Sequence, residues 1–211
     1  MTSAGRTSNR RGLQSREELL DVASRVMAER GYAATSLAVV GREAGFPKSA
    51  VTYHFHSKGG LLSEVMARGA YRFFAAMKHA HREGPPSGTP AQRIDWFLQR
   101  TGEVFTANPE FLRLHLLLLM SSEAHDAEVD AQIKTVRDDG RAYMNEMITI
   151  AFTPSAGASR AREIADALEY FAIACFDGSF VAVQADSSRP ISELMTHAST
   201  AIGALGEAMA H

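Results

Sequence analysis

The chain has 211 residues, 45% of them hydrophobic and 22% charged, with a net charge of −2 and one cysteine. That suffices to bury a core in one or two domains, and it excludes disordered and collagen-like classes, an internal disulfide and a multi-cysteine metal site. Charge is uneven: residues 1–60 hold nine basic and five acidic groups, a balance of +4 against −6 for the rest, which points the N-terminal part toward a polyanion.

Residues 1–14, MTSAGRTSNRRGLQ, contain no acid and read as a flexible basic arm. The first thirty residues hold no apolar core of a secretory signal. The most apolar run, FLRLHLLLLM at 111–120, is about half a membrane span and contains Arg113 and His115, so a cytosolic protein is expected. Ser15 followed by Glu18 is a capping-box pattern, and it opens a helix carrying Leu19, Val22, Ala23, Val26 and Met27 to a stop at Gly31. A short second helix starts at Thr35-Ser36 and carries Leu37, Val40 and Ala44 to Gly45. Gly45-Phe46-Pro47 turns the chain into a third helix, PKSAVTYHF. Ser57 is the cap of a fourth, with Leu61, Leu62, Val65 and Met66, reaching about His81. REGPPSGTP at 82–90 is the strongest break. Beyond it lie apolar-periodic stretches at about 90–107, 109–121, 124–152, 159–185 and 190–210, separated by Asn108-Pro109, TPSAGAS and DSSRP. No segment alternates as a strand does. The expected fold is all-α with about nine helices: the arm 1–14, a three-helix helix-turn-helix domain at 15–60, and a C-terminal helical domain at 61–211.

In a helix-turn-helix the second helix of the pair is short, so that its exposed side chains reach base edges in the major groove. Period 3.6 sorts the third helix: Val51 and Phe55 pack inward, while Lys48, Ser49, Thr52 and Tyr53 face outward as candidates for base or phosphate contact. Thr35 and Ser36 begin the second helix, where hydroxyls and free N–H groups suit an anion. Lys58 places a cation where the helix dipole alone favours an anion, which makes sense beside a phosphate. His54 is expected to be packed or phosphate-facing. His54 and His56 do not share a helix face and have no carboxylate or cysteine close in sequence, so no metal is assigned to them. The chain has no G-x-S-x-G, H-E-x-x-H, P-loop or G-x-G-x-x-G, and no cofactor is expected.

The segment YAATSLAVVGREAGFPKSAVTYHFHSKGGLL, residues 32–62, resembles the TetR-type transcriptional regulators: Gly-aromatic, Thr-Ser, a short helix ending Ala-Gly, then Tyr-His-Phe-x-Ser-Lys leading to leucines. Beyond it the likeness is architectural: helix count, length, and Asp177-Gly178 within the penultimate helix. The resemblance implies a homodimer whose N-terminal domains each read half of a palindromic operator, with an effector-binding and dimerisation domain behind them. Binding of a small molecule would release the DNA, so a repressor is expected. In that architecture Phe74, Met77, Trp96, Phe97, Phe105, Leu118, Met144, Met147 and Phe171 would line a cavity for a mostly apolar effector with one or two polar handles, although each of them also suits plain core. The last two helices would pair the protomers through small residues, Gly178, Ser179 and Ala182 on one, Ala201, Ala204, Leu205 and Ala208 on the other. His79 and His81 are expected at the surface, with the lining of an effector entrance as the lesser alternative, and Cys175 as a buried, inert thiol. Two positions depart from the family pattern. Thr52 stands where a tyrosine is often found, and Gly59-Gly60 cost roughly 1–2 kcal/mol relative to alanines, which either loosens a hinge or is tolerated. An all-α enzyme using the histidines and a DNA-binding organiser without an effector remain alternatives.

Overall fold

A computed structural model describes residues 4–121 and 127–210, with side chains from residue 12 onward except Glu128. Among the described residues the chain forms nine α-helices and no strand. They are α1 (Ala4–Arg30), α2 (Leu37–Ala44), α3 (Lys48–Phe55), α4 (Lys58–Ala80), α5 (Pro90–Ala107), α6 (Pro109–Met120), α7 (Ala127–Ala156), α8 (Ala158–Ala185) and α9 (Ile191–Ala210). None of the described helices is long and apolar enough to cross a membrane.

Caps end the helices where the sequence places them, with two exceptions. Ser36 Oγ accepts from Val39 N at 3.2 Å, and Gly45, at φ 73°, closes α2 by donating to Arg42 O. Ser57 Oγ accepts from Gly60 N, and Thr89 with Gln92 forms a full capping box on α5. The first exception is α1, which begins at Ala4 and not at Ser15. No proline interrupts residues 4–15, and extending a formed helix adds a bond per residue without a new nucleus, so the local cap signal at Ser15 is overrun. Gln14 also donates to Glu18 Oε1 one turn on. Residues 1–3 of the expected arm, and the side chains of Arg6, Arg10 and Arg11, lie outside what is described.

The second exception is TPSAGAS, expected as a loop. It is helical up to Ala156, and the break is Gly157 alone, at φ 78°. Pro154, in the last turn of α7, lacks the N–H that would bond Ile150 O. Arg93 Nη2 donates to that carbonyl instead, at 3.1 Å, so the helix keeps its acceptor satisfied through the proline. Residues 124–126 of the stretch expected at 124–152 lie outside the described residues.

Two compact units form: Met1–Arg72 with Pro109–Lys134, and Phe73–Asn108 with Thr135–His211. The first therefore reaches past the boundary expected at residue 60, taking in the start of α4 and all of α6. Its core is Leu19, Leu20, Val26 and Met27 of α1 with Val40, Val51, Phe55, Leu61, Leu62 and Met66, all at most 2% exposed. Ion pairs fasten α4 across α1: Arg68 bonds Glu17 and Asp21 at 2.9 and 2.8 Å, and Arg16 bonds Glu64. Apolar burial supplies most of the hold there, since half-exposed pairs contribute little singly. In the second unit α5 and α8 pack on α9 around Phe97, Leu98, Phe152, Ile164, Phe176, Met195 and Ile202.

Candidate nucleic-acid interface

α3 sits close against α2 because Gly41 leaves room. A Cβ there would stand 2.7 Å from Phe46 O and 3.2 Å from Val51 Cγ2. Val51 and Phe55 are buried, at 0% and 2% exposure, and Lys48, Ser49, Thr52 and Tyr53 are exposed, Tyr53 to 78%. The sorting of this helix by period is thus the sorting the fold adopts. Thr52 Oγ1 is turned back along the helix and donates to Lys48 O at 3.0 Å. His54 is half-buried, its ring edge-on to Tyr53 at 5.3 Å.

At the edges the structure redistributes roles. Ser36 is exposed at the start of α2, as expected. Thr35 is not available: it is 1% exposed, its hydroxyl donates to Gly31 O at 2.9 Å, and its N–H donates to Tyr32 O. Its expected phosphate contact is replaced by a task inside the turn between α1 and α2. Lys58 is half-buried; its Nζ donates to Ala33 O at 3.1 Å and lies 4.1 Å from the centroid of Tyr32. The cation therefore clasps the turn that precedes α2. Tyr32, the aromatic of the Gly-aromatic pair, is a partner that spacing alone does not reveal.

The α3–α4 joint is a tight three-residue turn. His56 has φ 59° and ψ −49°, and Ser57 N donates to Phe55 O across it, the geometry of a rare, strained γ-turn. Gly60 is required beside it, because a Cβ would stand 2.6 Å from the same Phe55 oxygen. Far from loosening a hinge, this glycine is what lets the joint close. Among the described residues no group of three His, Cys, Asp or Glu side chains could hold a metal.

In the second unit the expected cavity residues divide. Met77, Phe97, Phe105, Met144 and Met147 are buried, and Phe74 and Trp96 are half-buried. Phe171 is 40% exposed, and Leu118, buried, falls in the first unit. Phe74 lies 6.2 Å from Tyr143, Trp96 5.2 Å from Phe97, and the Arg100 guanidinium 3.9 Å over Trp96. His81, expected at the surface, is buried among these rings, while His79 stays exposed beside Arg82. The His81 Nε2 donates to Phe97 O at 3.0 Å, so in the neutral ring Nδ1 accepts from the Tyr143 hydroxyl, also at 3.0 Å. Cys175 is half-buried, not fully buried, and burial pushes its thiol up.

Burial holds His81 below its ordinary 6.5, Arg100 adds to this, and the Phe97 carbonyl works against it. Burial, helped by the charge of Glu146, pushes the Tyr143 hydroxyl up to about 12. With a lowered folded-state pKa the unfolded chain binds the His81 proton better. Stability is therefore lost as pH falls from 6.5 toward the folded-state value. Denaturant titrations between about pH 7 and pH 5 should show a smaller loss in His81→Gln than in the wild type. Equal slopes would remove the buried neutral ring from the account.

Residues 19–65 match the model of the bacterial regulatory proteins of the tetR family. The HTH-type transcriptional regulator AcrR of Shigella flexneri is 33% identical over 60 residues, a match that spans 28% of either chain. Among solved structures, a putative transcriptional regulator from Pseudomonas aeruginosa PAO1 superposes with a TM-score of 0.72 at 16% identity, covering 93% of this chain and 92% of that one. One from Saccharomonospora viridis, solved in complex with choline, gives 0.68 at 19% identity, covering 88% and 93%. The fatty acid degradation regulator FadR from Bacillus halodurans gives 0.66 at 14%, covering 89% and 93%. At such identities the likeness of these structures is one of fold. The helix-turn-helix segment at residues 19–65 is thus that of the tetR family, and the helical fold around it is the one these solved regulators share.

Proposed function

We propose that the protein is a homodimeric repressor that binds a palindromic operator through α3 and leaves it when a small, mostly apolar effector binds the second unit. The observation that carries this reading is the split of α3: Val51 and Phe55 hold one face in the core while Lys48, Ser49, Thr52 and Tyr53 stand free on the other. Ser36, His54 and Lys58 flank that face as phosphate contacts, and Thr35 drops from the set because its polar groups are used internally. For the dimer, exposed Phe171, Ala174, Gly178, Val181, Ala182 and Ala185 form a stripe on α8, and Ala204, Leu205 and Ala208 are exposed on α9. The buried Gly203 and Gly206 turn instead toward Ala91 and Phe152. An apolar face that the chain itself leaves uncovered suits a second copy. For the effector, Phe74, Met77, Trp96, Phe97, Phe105, Met144 and Met147 supply the apolar surroundings, with His81 and Tyr143 as polar handles.

Selection of bound DNA from a random pool tests the reading. It should return an inverted repeat whose half-site centres lie about 10–10.5 base pairs apart or at a multiple of that. No enrichment, or a single asymmetric site, would count against it. Lys58→Ala should weaken binding to all DNA sequences alike, lower the slope of log K against log salt by about 1, and reduce the stability of the first unit by about 0.5–1 kcal/mol through loss of its contact with Tyr32. A changed base preference in that variant would contradict the phosphate role.

A further inference from the structure

We infer that Thr52 determines specificity by reading thymine through its methyl group. The inference rests on the DNA-binding reading above and adds what one position of α3 recognises.

A threonine hydroxyl has one proton, and in Thr52 that proton is given to Lys48 O, one turn back, at 3.0 Å. The side chain is exposed and lies on the free face of α3 with Lys48, Ser49 and Tyr53. Staggering about Cβ leaves few choices. With Oγ1 turned back over the preceding turn, the methyl group takes the other position a helix allows and faces away from the backbone. What Thr52 presents to a groove is therefore apolar, with no donor left.

Base edges in the major groove respond differently to such a group. The acceptors of guanine and the N7 of adenine call for a donor, which Thr52 no longer has. Thymine offers a C5 methyl, the only apolar group among the edges there, and burying two methyl groups against each other needs no hydrogen bond. Lys48 and Ser49 on the same face bring donors, so the helix divides its reading between polar and apolar edges. The rival use of Thr52 is as an acceptor from cytosine N4 or adenine N6 through the lone pairs of Oγ1. That would require the groove to reach an oxygen already turned toward Lys48 O.

The test uses the full-length protein and the DNA it selects. Deoxyuridine replaces thymine one position at a time across a half-site, which removes only the C5 methyl, and affinity is measured for the wild type, Thr52→Ser and Thr52→Val. One thymine should lose about fourfold in wild-type affinity when demethylated, the worth of one methyl-sized contact. Thr52→Val, which keeps the methyl group, should lose the same factor at that position. Thr52→Ser, which keeps the hydroxyl and its bond to Lys48, should be indifferent to the change. The inference fails if no thymine shows this coupling, or if Thr52→Ser retains the sensitivity and Thr52→Val loses its selected site. Failure of the wild type to select any DNA would overturn the DNA-binding reading itself, and this one with it.

Discussion

Phe55→Ala should remove about 3–5 kcal/mol of stability from the first unit and abolish operator binding, while Phe55→Leu loses about 1–2 kcal/mol and keeps it. Phe55 is 2% exposed, and the Arg16 guanidinium lies 5.5 Å from its ring centroid, so truncation empties a site enclosed on all sides. The position is also where α3 ends and the strained turn begins. A residue held at φ 59° costs on the order of 1–3 kcal/mol and persists only while its neighbours fix it. Here they are the buried ring of Phe55 before it and the close approach of Gly60 to the Phe55 carbonyl after it. Without the ring the turn can relax, and relaxation swings the C-terminal half of α3, including Thr52 and Tyr53. Denaturant titration gives the stability change and gel shift the binding change. A Phe55→Ala protein with wild-type stability and affinity would show that Phe55 does not moor the reading helix.

Elements fixed by near neighbours are legible in the amino-acid sequence alone. Ser36, Gly45 and Ser57 each complete their cap within three or four residues, and Val51 and Phe55 define the inner face of α3 by spacing. What is not legible depends on partners far along the chain. Pro154 marks a loop by every local rule, but Arg93, 57 residues away from Ile150, satisfies the carbonyl the proline abandons. His81 looks like a polar residue at a helix end until Tyr143, 62 residues on, and the Phe97 carbonyl enclose it. Dipole reasoning puts Lys58 beside a phosphate but does not reveal that Tyr32 and Ala33, 26 and 25 residues back, also hold it. Thr35 escapes sequence reasoning for a different cause. Its partner Gly31 is only four residues away, but a threonine before a helix can turn its hydroxyl outward to an anion or backward to a carbonyl, and spacing does not choose between them.

The second large effect belongs to the other unit. Phe152 is completely buried, and a Cβ on Gly206 would overlap its Cζ, so the tip of the ring fills the space that the glycine leaves bare on α9. Phe152→Ala should therefore cost about 3–5 kcal/mol, the transfer of a large apolar side chain plus the cavity it leaves. Gly206→Ala in the wild type should also be destabilising, by about 1–3 kcal/mol, because the ring has no room to give and the gain in helix propensity, about 1 kcal/mol, does not offset the clash. Combined, the two changes should not add. With the ring gone, the new methyl group occupies part of the cavity, and Gly206→Ala becomes stabilising, a reversal of sign that a double-mutant cycle reads directly. Leu205 and Ala208, exposed on α9, belong to the face proposed to meet a second copy. Phe152→Ala should accordingly lower the dimer fraction in sedimentation at protein concentrations where Gly178→Asp, on the exposed face of α8, does so without loss of protomer stability. If Phe152→Ala and Gly206→Ala proved additive, the ring and the glycine would be independent, and α9 would owe its place to its contacts with α5 and α8 alone.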